Sequence, residues 1–177
     1  SQHSSVGYRW INGEFEAQGF EFVPLASAGT MSASAIAMTR FMKAHLQGGI
    51  VDGTRILKDA TTVQMHSPLF KVHDSLNAWL YGFSQSSING LNMLGHTGGL
   101  SSFITNFVLM PDQNVGIFVS TNTTGAGEVI DDFTTSFFDH YFPFEPDITP
   151  LENPSDLTSI VGDYVTFRHP VTSLLKF

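Results

Sequence analysis

The pattern of apolar and polar positions changes its period partway along the chain. "SASAIAMTRFMKAHLQGG" reads as a helix over residues 33–47, with Ile36, Phe41, Ala44 and Leu46 supplying an apolar side. Ser32 or Ser34 is the candidate N-cap, and Gly48-Gly49 is the stop. "IVDGTRIL" follows, with Asp52-Gly53 as a hairpin-turn signal, and "KDATTVQMHSP" reads as a short helix ended by Pro68. From about Trp79 the texture becomes strand-like. "AWLYGFSQ", "LNMLGH", "SSFITNFVLM" and "NVGIFVSTN" are rich in aromatic and β-branched residues. Asn89-Gly90 and "PDQN" at 111–114 separate them, and the last two predict an antiparallel hairpin. "GEVIDDFTTSFFDHYF" then returns to helical spacing. Ile130, Phe133, Phe137, Phe138, Tyr141 and Phe142 share a face expected to pack on the sheet, while Glu128, Asp131 and Asp132 suit the positive end of the helix dipole. The expected fold class is therefore α+β: an antiparallel sheet of three or more strands with helices packed on it.

Composition narrows the function classes. The chain has 177 residues and a net charge of −8. No Lys or Arg stands between Lys71 and Arg168, and eleven Asp and Glu lie in that interval. Such a surface repels phosphate backbones and anionic membranes, so no nucleic-acid partner is expected. No apolar run is long enough for a membrane span. The opening "SQHSSVGYRW" does not read as a secretory signal, and it lacks an initiator methionine, as a processed or cut chain would. With no cysteine, disulfides and thiolate metal sites are excluded. Seven histidines include no HExxH and no i, i+4 pair; His66 and His73 have no carboxylate pattern nearby, so no metal is expected. "VGIFVSTNTTGAGEVI" has Ile130 where a dinucleotide fingerprint needs its third glycine, and no cofactor is expected. Asn122-Thr123-Thr124 fits a glycosylation sequon of a kind that chance often produces. "SLLK" at 173–176 matches S-x-x-K, but it lies near the chain end after a proline, where no cleft-facing helix start is expected.

The stretch "MLGHTGGLSSF", residues 93–103, carries the candidate chemistry. Paired glycines weaken a strand but let a ligand approach bare backbone. A strand N–H there can stabilise a developing oxyanion, and a neighbouring histidine can move protons or steer a carboxylate.

Read in order, "PLASAGTMSASAIAMTRFMKAHLQGG", "VDGTRILKDATTVQMHSP", "YGFS", "GHTGGLSSF" and "PDQNVGIFVSTN" resemble the serine β-lactamase-related family, over about residues 24–122. That family includes class C β-lactamases, D-Ala-D-Ala carboxypeptidases and related esterases. The resemblance implies a partial β-lactamase/transpeptidase-like fold and an acyl-serine route to amide or ester hydrolysis. In it H-x-G stands for the family's K-T-G motif. His96 would take the lysine position, Thr97 and Gly98 would complete the motif, and Gly99 would supply an oxyanion-hole N–H. Ser101 and Ser102 stand where relatives often have Pro-Gly and would line the substrate. Ala35-Ile36 replaces the acidic residue usual at that helix start. The family's nucleophile motif S-x-x-K and its Y-x-N motif do not precede His96; neither Tyr8-Arg9-Trp10 nor Tyr81-Gly82-Phe83 ends in Asn.

The resemblance therefore implies the C-terminal half of such a hydrolase in residues 1–145, inactive alone and self-associating or completed by its missing half. A Pro/acidic linker at 146–158 and an incomplete following segment at 159–177 would come next. H-x-G leans toward esterase or peptidase relatives, with a small-molecule, peptide or ester substrate, and the family often works in the periplasm or outside the cell. A non-catalytic binding or structural module of the same fold is the alternative, and a nucleotide-binding protein a distant third.

Overall fold

The computed structural model describes residues 4–24, 28–29, 31–146 and 161–164. The chain divides into two units, residues 1–144 and 145–177; most of the second, including nearly all of the linker, most of the following segment and "SLLK", lies outside the described residues. The first unit runs β1 (Tyr8–Ile11), β2 (Glu14–Ala17), α1 (Ala35–Leu46), β3 (Ile50–Val51), β4 (Thr54–Arg55), α2 (Asp59–Met65), β5 (Ser84–Ile88), β6 (Leu91–Gly99), β7 (Ile104–Met110), β8 (Val115–Thr121) and α3 (Gly127–Tyr141).

The main sheet is an antiparallel meander in the order β5-β6-β7-β8. Its turns follow the residue chemistry. Asn89 and Gly90 both adopt positive φ, the mirror-image turn whose twist suits a two-residue hairpin, and Asp52-Gly53 does the same between β3 and β4. Between β7 and β8, Pro111–Gln113 form a 3-10 turn and Asn114 takes the left-handed conformation. Alternation along β6 and β7 sends neighbouring side chains to opposite faces. Leu94, Phe107 and Leu109 join Met38 and Met42 of α1, with Ala78, Leu80 and Phe83. Met93, Val108, Met110 and Ile117 join Phe138 of α3 on the other face. A helix therefore covers each face.

Several elements differ from the sequence pattern. Residues 78–83 are apolar but do not form the expected strand. Trp79 makes single bridges to Phe70 and Ser84, Gly82 turns at positive φ, and β5 begins only at Ser84. The buried residues of α1 are Met38, Met42, His45 and the expected Ala44, whereas Ile36 is exposed. Gly116 on β8 lies beneath α1, where a Cβ would meet Leu109, Met42 and Leu46 at 3.2–3.5 Å. On α3, Ile130 and Phe138 are buried, whereas Phe133 and Tyr141 of the same stripe face outward. The β1–β2 hairpin, turned by Asn12-Gly13, adds to the end of β8: the Tyr8 N–H donates to the Asn122 carbonyl and the Thr124 N–H to the Tyr8 carbonyl.

Candidate active-site edge

The candidate site forms where β5 stops. Pairing of β5 with β6 runs from Ile88↔Leu91 to Ser84↔Gly95 and ends there. Pairing of β6 with β7 continues through His96↔Phe107 to Gly99↔Ile104. Residues 96–99 thus have one edge in the sheet and the other unpaired by β5, and all four are exposed.

The register fixes which groups face that open edge. In a two-residue hairpin the residues flanking the turn exchange both backbone bonds, and the bonding direction then alternates. Leu91, Met93 and Gly95 therefore turn N–H and C=O toward β5. By the same alternation Thr97 and Gly99 turn theirs toward the open edge. Two hydrogen bonds agree with this parity: the Gln85 N–H donates away from β6 to the Ala78 carbonyl, and the Leu100 N–H donates toward β7 at the Phe103 carbonyl.

The site side chains split between the faces. His96 lies on the α1 face beside its cross-strand partner Phe107, and Thr97 lies on the α3 face opposite Asn106. His96 Nδ1 sits 2.5 Å from the Thr97 carbonyl oxygen. A carbonyl only accepts, so Nδ1 carries the proton and Nε2 of the neutral ring keeps its lone pair. Gly95 lets β6 approach β7 closely: a Cβ there would lie 2.2 Å from the Phe107 carbonyl oxygen. At Gly98 and Gly99 an added Cβ meets nothing within 4 Å. Their bareness leaves space beside the edge without being required by packing. A groove of about 240 Å³ adjoins it, lined by Ser84, Ser86, Gly95, Thr97, Asn106 and Thr134 among others.

Ser101 and Ser102 belong to the turn after β6. The Ser101 N–H donates to Glu21 Oε2 at 2.8 Å. Ser102 is 6% exposed and packs against Gly7, where a Cβ would come within 2.5 Å of the Ser102 Cβ. A substrate contact through the Ser102 side chain would require that packing to open. Among the described residues no group of three or more metal-ligating side chains is found, and no helix is long and apolar enough to cross a membrane.

The beta-lactamase family model matches residues 4–136, well over half the chain. The chain belongs to the beta-lactamase family. A solved structure similar to this family member is that of the octameric penicillin-binding protein homologue from Pyrococcus abyssi. The two share 15% identity with a TM-score of 0.58; the match covers 80% of this chain and 33% of that one. The likeness supports the fold, and this chain spans about a third of that protein's length. The comparison with curated proteins gives no match. Within this family member, the H-T-G-G stretch falls on the half-open strand β6. S-x-x-K occurs only at 173–176, outside the described residues, and Y-x-N does not occur.

Proposed function

We propose that this chain supplies the strand side of an acyl-serine hydrolase cleft, with the attacking hydroxyl supplied by polypeptide other than residues 1–177. The observation that carries this reading is the backbone edge at Thr97 and Gly99, which β5 leaves unpaired. A substrate lying along it would be held as an added strand, and the Gly99 N–H would donate to the carbonyl oxygen as negative charge develops there. His96 Nε2 would exchange a proton with the reacting groups or, once protonated, hold a substrate carboxylate. Thr97 and Gly98 would set the register of that strand. Apart from His96 the lining of the adjoining groove is uncharged, which suits a neutral acyl portion. The substrate class is an amide or ester of a small molecule or peptide, and ester or peptide fits the histidine in place of a lysine. Without a base-activated serine, an oxyanion hole retains only a small part of the rate enhancement, so residues 1–177 alone are inactive.

Intact-protein mass spectrometry after treatment with a penicillin or a fluorophosphonate tests this. Residues 1–177 alone should carry no adduct. The same chain extended upstream by its own reading frame should acquire one on a serine, and His96→Ala should slow it by about 10²-fold or more. An adduct on a serine of residues 1–177 alone would overturn the reading.

A further inference from the structure

His45 and His66 form a second titratable cluster, separate from the proposed cleft. His45 is on the buried face of α1 and His66 caps the end of α2. Their facing nitrogens, His45 Nδ1 and His66 Nε2, are 3.2 Å apart. Aromatic rings surround them: Phe41 and Phe83 stack edge-on against His45, and Phe83 also meets His66. Phe83 and Phe41 in turn contact Phe107, the cross-strand partner of His96.

We propose that this pair is an acid-released latch, holding α2 and the segment after it against α1 while both rings are neutral. A neutral pair shares one hydrogen bond, with one ring donating and the other accepting. A first proton keeps that bond but places a charge among the phenyl rings. A second proton removes the accepting lone pair, leaving two donors face to face at 3.2 Å, and the rings must part. His66, only half-buried, is the ring that leaves.

The surroundings offer a positive pair little compensation. On α1, Arg40 is paired with Asp52 and Lys43 is a further cation. On α2, Lys58 and Asp59 stand at the opposite end from His66, with the Asp59 carboxylate beside Gly48. The segment after α2 carries Lys71, His73, Asp74 and Tyr81, and the sheet contributes His96. Among the described residues no ion pair joins a carboxylate to either imidazole. Burial lowers the pKa of both histidines, and the neighbouring His66 lowers that of His45 further. With the folded values depressed, the open form binds more protons. The latch is therefore fully held above the free histidine range, about pH 6.5, and lost as pH falls below it.

Hydrogen exchange of the full chain, corrected for intrinsic rate, tests this between pH 7.5 and 5.0. Protection of residues 59–66 should fall below about pH 6.5, by about tenfold per pH unit for one proton and toward 100-fold for two. His66→Gln, which can still accept from His45, should reduce that slope to tenfold or less. Protection that is independent of pH, or a slope unchanged in the variant, would overturn the proposal. Should the variant fail to fold, imidazole ¹⁵N shifts of the wild-type chain decide. Coupled titrations below the ordinary histidine range support the latch, and independent titrations near pH 6.5 refute it.

Discussion

At the scale of single residues, three neighbouring glycines do different work. Gly95 is a packing requirement, because β6 and β7 approach so closely there that any side chain meets the Phe107 carbonyl. Gly98 and Gly99 have open space around them. Gly95→Ala is therefore expected to cost about 1–3 kcal/mol, as forced overpacking does, while Gly99→Ala should stay within about 0.5 kcal/mol. Thermal unfolding of the two variants side by side checks this; equal losses would mean that the bare stretch is structural throughout. The candidate histidine and glycines were legible from "GHTGG" itself. The burial of Ser102 was not, because it arises from Gly7, distant in sequence and with no marker of its own.

At the scale of elements, local chemistry predicted most of the turns and helices. Ser34 caps α1, its hydroxyl accepting from the Ala37 N–H at 3.2 Å. Ser34→Ala should therefore cost about 1 kcal/mol, read from the urea midpoint, whereas Ser32→Ala should cost little. A larger loss at Ser32 would place the helix start wrongly. The β1–β2 hairpin carries the same Asn-Gly signal that marked the β5–β6 turn, so its aromatic and β-branched flanks could have been read as strands. β5 could not be found that way. "SQSSI" has almost no apolar alternation, while the apolar "AWLYGF" just before it supplies core residues from a turn. Burial and strand pairing separate at this sheet edge, as they do again at the exposed end of β6, and a hydrophobic pattern reports burial. The open edge has the same origin. It depends on where β5 stops opposite β6, which is a matter of register rather than residue type.

At the scale of the whole molecule, a small sheet with one helix on each face leaves much apolar surface uncovered. Ile36 on α1, Val63 on α2, Leu69 and Phe70 after it, and Val129, Phe133 and Tyr141 on α3 are all exposed. Such surface favours association. Sedimentation velocity of residues 1–177 is expected to show species larger than a monomer at micromolar concentration, with Ile36→Glu combined with Val63→Glu shifting the distribution downward. A single monomer boundary for the unaltered chain would show that these side chains are tolerated in water.

The unpaired edge of β6 links these three scales. It arises where β5 ends early and the sheet stays open, and two bare glycines leave space beside it. Amide chemical shifts recorded while N-acetyl-D-alanyl-D-alanine is added to the chain test it most directly. The Thr97 and Gly99 amides should move together and saturably, while His96 and Gly98, whose N–H groups point into the sheet toward β7, should move far less. Thr97 and Gly99 amides that stay unmoved, or shifts confined to His96 and Gly98, would contradict a carbonyl-gripping role for this edge.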